Sequence, residues 1–356
     1  MKPTTFSGHI YLFYAFDIGD DIQLDMIKED KSIIKKPLND SKYFKNYHTP
    51  LAIELPQPLQ TSNCDSVKIY NFGVVTLRYK IPFSDTLTLE NLKQELIDIV
   101  YAYNERAIED AHTIFKKIQK AIKQPQFYHL SNVYVVIQVD PTTAHYDGSE
   151  LKEAFGHEIA SLVRFEKARL STHLKNEILE GSFGYYKGDL LVIDTEAAFI
   201  YDADYGDLID IFEFANIQQL ELQYFDKLLD HQLNLIYNRK VGKLPISAYL
   251  PFWGTLKNDP VGELGKLKAD ISVIIERVSN NIKLAGETYA SEVYTVLSEK
   301  LDLQKWHESL QKKLDIVHDI RSVYANKVDV IREDILSVLI IILIMIELIV
   351  AIVRIH

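Results

Sequence analysis

From Ile335 to Val353 the chain reads ILSVLIIILIMIELIVAIV, nineteen residues with a single charge at Glu347. No other feature limits the fold as tightly. As a helix the run spans about 28 Å, close to the thickness of one hydrocarbon core. Fifteen of its residues are Ile, Leu or Val. At about −0.4 kcal/mol each they offer roughly −6 kcal/mol, against roughly +3 kcal/mol for one acid. The competing reading, a helix buried in a core or an oligomer, needs a partner surface that this balance does not require. The expectation is a transmembrane helix with the lipid bilayer as partner. Only Arg354, Ile355 and His356 follow, so the segment reads as a tail anchor. Arg321, Lys327 and Arg332 precede it against Arg354 after it, which puts the bulk of the chain on the cytoplasmic side. Glu347 lies six residues before the end of the run, about 9 Å from the far interface. An acid at that depth calls for a hydrogen-bonding partner. Arg354, two turns along the same face, is one source and a second copy of the anchor another; the alternatives are thus a homo-oligomer through the anchor and a lone protonated acid.

The other residues have the composition of a folded protein, 47% hydrophobic and 25% charged over a total of 356. Only 14 Gly and 11 Pro occur, which disfavours turn-dense β architectures and favours long helices. With 39 basic against 50 acidic residues the net charge is −11. No basic cluster offsets it, so no direct nucleic-acid partner is expected. Cys64 is the sole cysteine, which excludes an intramolecular disulfide and a Cys-rich zinc site. The first six residues show no secretory signal, and the acids Asp17, Asp20, Asp21 and Asp25 oppose an organelle transit peptide.

Along the chain, HIYLFYAF (His9 to Phe16) reads as a strand, followed by a short amphipathic stretch to Lys28. Lys35 to Ser66 reads as loop with one edge strand, because PLAIELPQPL carries three prolines. Val67 to Phe83 predicts one bulged strand or a tight hairpin around Asn71 to Gly73. Leu92, Leu96, Ile99, Tyr103, Ala107, Ala111, Ile114, Ile118 and Ile122 form one stripe of a long helix from Thr88 to Ile122. VYVVIQV (Val133 to Val139) is a further strand. This order permits a ferredoxin-like split βαβ layer. A second long helix is expected over Ser149 to Leu179, closed by Gly181, then a meander with a turn at Lys187-Gly188-Asp189. From Asp207 the chain reads as helical, broken by a loop from Gly242 to Pro260. Gly262 to Lys313, and Ile316 onward into the anchor, read as the arms of a long antiparallel hairpin. The fold class is therefore α+β, with an N-terminal α+β domain over residues 1–205, a helical region over 206–333 and the transmembrane segment over 335–353.

No GxxxxGK[ST], GxGxxG, GxSxG or HExxH is present. Cys64 stands in a polar segment, TSNCDS, with no base beside it. Asp202, Asp204, Asp207 and Asp210 resemble a calcium loop superficially, but Gly206 falls fifth where the loop needs it sixth. The acids fit a turn and the first turn of the next helix. The eleven histidines are scattered. In FEFANIQQLELQYFDKLLDHQL, Asn216, Gln219, Gln223, Asp226 and Asp230 recur every three or four residues. That stripe is either solvated or an interaction face for another helix or an unidentified protein partner.

LSEKLDLQKWHESLQKKLDIVHDI (Leu297 to Ile320), followed by ILSVLIIILIMIEL, resembles the carboxy-terminal signature of the "required for meiotic nuclear division" family. Phe72-Gly73-Val74-Val75 is similar to that family's opening strand, and EFANIQQLELQYFDKLLD to its middle region. The tryptophan that usually precedes the closing segment is missing. The resemblance implies a membrane-anchored protein with no established enzymatic activity, and it carries over no catalytic residue and no cofactor. The expected function is a tail-anchored scaffold or tether. The alternative is a membrane-anchored metal-dependent enzyme using Asp202, Asp204 and Asp207.

Overall fold

The computed structural model describes residues 4–19, 21–37, 50–55, 63–127, 131–141, 146–238 and 288–355. The chain divides into two units, one of Met1–Tyr224 with Arg277–Lys305, the other of Phe225–Glu276 with Trp306–His356.

The first unit is built on strands β1 (Phe6–Asp17), β2 (Leu51–Ile53), β3 (Cys64–Ile69), β4 (Val74–Leu87), β5 (Ser131–Val139), β6 (Leu190–Ile193) and β7 (Ala197–Tyr201). They form one sheet in the order β2-β3-β4-β1-β5-β7-β6. All neighbours are antiparallel except β5 and β7. β1 is the centre, with Leu12 opposite Tyr79 of β4 and Val135 of β5. Its unbroken apolar run follows from this position, since ten of its twelve residues are buried and both faces of the strand are covered. The short β2 ends the strand order, and on its outer side the Ala52 carbonyl accepts the Lys36 N–H and the Glu54 N–H donates to the Ile34 carbonyl, both at 2.9 Å. Gly73, at φ +96°, makes the tight turn that joins β3 to β4.

The helices of this unit are α1 (Leu24–Glu29), α2 (Leu89–Ile118), α3 (Gly148–Val163), α4 (Thr172–Glu180), the first turns of α5 (Gly206–Asn238), and α6 (Thr288–Lys300). Thr88 caps α2 by accepting the Asn91 N–H at 3.2 Å. The α2 stripe is buried at Leu92, Leu96, Ala107, Ala111, Ile114 and Ile118, and it packs on β1 and β4. Asp147 and Glu150 form a capping box that starts α3, which packs on β6 and β7. One apolar core lies on this face of the sheet and includes Ile10, Leu12, Tyr14, Phe16, Leu77, Val135 and Phe199.

Three sequence expectations change. Ser149 to Leu179 is two helices, because Arg164 leaves the helical conformation, Phe165 turns to φ +53° and Ser171 caps a new start. Cys64 opens strand β3 and pairs with Tyr79 of β4. The expected turn at Lys187-Gly188-Asp189 is present, closed by the Asp189 N–H on the Tyr186 carbonyl at 3.0 Å between the bridged Phe183 and Leu191, and a second turn at Asp194 to Glu196 joins β6 to β7. The final helix, α7 (Leu303–Ile355), runs through Asp315 unbroken, and the helical break falls instead at Leu301–Asp302, with Asp302 at φ +54°. The expected loop from Gly242 to Pro260 and residues 262–287 of the expected hairpin lie outside the described residues. The second unit comprises, among the described residues, the end of α5 and most of α7.

Candidate functional site

The alternation of β3 and β4 that sends Val67, Ile69, Val75, Leu77 and Tyr79 into the core sends Lys68, Thr76 and Arg78 to the other face. That face carries charge, and α5 brings the complement. Asp210 and Glu213 are three residues apart and therefore share a helix face. Lys68 Nζ lies 3.0 Å from Glu213 Oε2, with 2% and 3% of the side chains exposed. Thr76 Oγ1 donates to Glu213 Oε1 at 3.3 Å. The Arg78 guanidinium reaches Glu213 at 3.4 Å, Asp210 at 3.6 Å and Asp65 at 3.0 Å. Burial works against the charge on Arg78, but Glu213, Asp65 and Asp210 outweigh it and raise its pKa. The network holds two cations and three carboxylates, so it is close to balanced. It fixes where α5 sits on the sheet, together with Phe212 stacked on Tyr134 at 5.5 Å.

The polar stripe read from the sequence continues this network. Asn216 Nδ2 donates to the Phe13 carbonyl in β1 at 3.3 Å, and its side chain is buried. Gln219 Oε1 accepts from Asn132 Nδ2 at 3.0 Å, and Gln219 Nε2 donates to the Leu301 carbonyl at 3.2 Å. In the second unit Lys313 Nζ lies 2.7 Å from both Asp226 and Asp230, and Ser309 Oγ donates to Asp226 at 3.1 Å. Gln223 is half-buried. Four of the five residues thus have partners inside the chain. Sequence reading missed Lys68, Arg78 and Glu213, and met Asp210 only in the superficial calcium-loop pattern. The available signal was that the α5 stripe begins two turns earlier than Asn216, at Asp210.

The remaining candidates are placed as follows. Asp202 Oδ1 accepts the Asp204 N–H at 2.7 Å in the turn between β7 and α5. Burial raises the Asp202 pKa, and Asp189 and Asp204 add to it. Among the described residues no group of three or more His, Cys, Asp or Glu is arranged to hold a metal ion. Cys64 is half-buried, and burial with the nearby Asp110 pushes its thiol up to about 12, so at neutral pH it is not a nucleophile. Tyr79 Oη donates to the buried Asp110 at 2.7 Å.

Asp329–Arg354 of α7 is long and apolar enough to cross a membrane, with mean hydropathy 3.3 and none of its most apolar stretch buried. Glu347 and Arg354 are exposed on it.

A family model described as "Uncharacterized protein MJ0711, N-terminal domain" matches residues 7–207, from β1 to the start of α5. Uncharacterized protein MJ0711 of Methanocaldococcus jannaschii is 23% identical to the chain over 300 residues, 82% of each protein. No solved structure matches.

Proposed function

We propose, from the premise that the chain belongs to the MJ0711 N-terminal-domain family, that it is a membrane-anchored scaffold or tether without catalytic activity. In this reading the α+β unit is held on the cytoplasmic side by one span, Ile335 to Val353. The observation that carries it is the character of α7. Its most apolar stretch is wholly unburied, and side chains such as Ile341, Leu343, Ile346 and Ile349 are each more than half exposed. The core helix of a water-soluble protein buries such side chains, whereas a bilayer covers them without protein. The excess of Arg321, Lys327 and Arg332 over Arg354 supports the orientation.

The interior supports a scaffold more than a catalyst. Lys68, Arg78, Asp210 and Glu213 hold one another, and the α5 stripe is bonded within the chain. The antiparallel order β3-β4-β1-β5, with α2 between β4 and β5, supports reading the first unit as an enlarged ferredoxin-like layer. Likewise, the resemblance of Leu297 to Val353 to the "required for meiotic nuclear division" proteins supports an anchored role.

The test is the partition of the full chain in membranes. We expect it to resist alkaline carbonate extraction, and the α+β unit to be digested by protease added to the cytoplasmic side of sealed vesicles. Extraction by carbonate would refute the anchor. Protection of the α+β unit on that side would refute the orientation.

A further inference from the structure

The span has only three residues that are not Ile, Leu, Val or Met, namely Ser337, Glu347 and Ala351. Their spacing is not random. Counting alternately three and four residues from Ser337 gives Ile340, Ile344, Glu347 and Ala351. All three exceptions therefore fall on one seam of period 3.5, and the other heptad positions of the span are uniformly bulky and apolar. The same count carried toward the N-terminus gives Val330, Val323 and Ile316 at intervals of seven. These β-branched residues are exposed on the water-soluble part of α7, at 57%, 61% and 48%. Carried the other way, the count ends on Arg354, and every position of the seam named here is exposed.

We propose that this seam is the contact between two copies of the chain, a parallel pair of α7 helices inside and just outside the bilayer. This rests on the membrane span proposed above. Parallel packing is imposed because both copies enter the membrane from the same side. A period of 3.5 is the repeat at which two helices stay in register along their length. Small and polar residues mark helix contacts in lipid, since bulky apolar faces are already solvated by acyl chains. The occupant is a second copy for a reason of chemistry. Among the described residues this is the one helix that could span a membrane. A carboxyl group held among lipid chains needs a hydrogen-bond partner. In a parallel pair, seam symmetry sets Glu347 against Glu347 of the other copy, with Arg354 two turns along the same face. Outside the membrane the intervening seam positions are Asp319, Asn326 and Glu333. The aqueous half is thus weaker, and the Glu347 contact dominates.

The experiment uses the full chain in native membranes, with single substitutions Ile344→Cys on the seam and Ile342→Cys on the opposite face, and wild type as the baseline for Cys64. Oxidative crosslinking with copper phenanthroline is read as the yield of disulfide-linked dimer. We expect at least a fivefold higher yield from Ile344→Cys than from Ile342→Cys. Adding Glu347→Leu to Ile344→Cys should reduce that yield severalfold. Equal yields from the two faces, or a yield unchanged by Glu347→Leu, would overturn the seam. Carbonate extraction of the same samples separates the two claims. If the variants stay in the membrane without seam-selective crosslinking, only the pairing is wrong; if they are extracted, the span and the pairing fall together.

Discussion

Removing the Glu213 carboxylate should destabilise the first unit far more than removing Lys68, although the two form one buried pair. Glu213→Leu takes from Lys68 the carboxylate at 3.0 Å, at a site where 2% of the lysine side chain is exposed. It also takes an acceptor from Thr76. Stripping the partner from a buried charge costs about 3–5 kcal/mol. At about 2–4 °C per kcal/mol for a unit of this size, the melting temperature should fall by about 6–20 °C. Lys68→Met is different, because Glu213 keeps Arg78 at 3.4 Å and Thr76 at 3.3 Å. That change should cost about 1–2 kcal/mol, the range of a lost hydrogen bond to a charged group. The double variant removes both charges and leaves Arg78 with Asp65 and Asp210. It should recover at least about 2 kcal/mol relative to the sum of the single changes. Urea unfolding of the detergent-solubilised chain, followed by far-ultraviolet circular dichroism, closes the cycle. A cost below about 1 kcal/mol for Glu213→Leu, or strict additivity in the double variant, would refute the claim that this pair seats α5 on the sheet.

Three further outcomes follow from local geometry. Gly8→Ala places a Cβ 2.0 Å from the Gln138 carbonyl oxygen, so β1 or β5 must shift, and urea unfolding should show a loss of about 2 kcal/mol or more. Lys313→Ala should cost about 0.5–1 kcal/mol at neutral pH, since the ion pairs with Asp226 and Asp230 are partly exposed. Burial lowers the pKa of Lys313, but those acids raise it on balance above 10.5, so the contribution is complete below 10.5 and disappears as pH rises through the folded value. A pH series of unfolding curves on wild type and variant reads this directly, and identical profiles at high pH are expected. Asp202 has its pKa raised above 3.8 by burial, so its ionisation works against the fold as pH rises past that point. Asp202→Asn keeps an oxygen for the Asp204 N–H and should flatten the decline in stability above 3.8; a steeper decline would contradict the assignment.

How much of this was legible in the sequence depends on how a residue's surroundings are encoded. The α2 stripe was readable because its apolar residues repeat at helical spacing and one sheet face buries them. β1 was readable from its unbroken aromatic run, which a strand covered on both faces permits. The polar side of α5 was visible as a stripe, but not as an interior one. Asn216 and Gln219 look the same in sequence whether they meet water or the Phe13 and Leu301 carbonyls. Lys68 and Arg78 were hidden for the same reason. A basic residue alternating with Val and Ile on a strand reads as a solvated face, and only the fold sets Glu213 over it, 145 residues away in sequence from Lys68. The break between α3 and α4 was missed because neither Pro nor Gly marks it, the reversal being carried by Phe165 in a left-handed conformation. Asp302 carries the break before α7 in the same way.

The central claim is that one helix segment holds the α+β unit on a membrane, and fractionating the full chain beside a chain truncated after Asp334 tests it most directly. The truncation removes the unburied apolar stretch and leaves every residue of the sheet and of the Lys68–Glu213 network in place. We expect the full chain in the carbonate-resistant membrane pellet. The truncated chain is expected in the supernatant, with the far-ultraviolet circular dichroism of a folded α+β protein. A truncated chain that still pellets and resists carbonate would contradict the account.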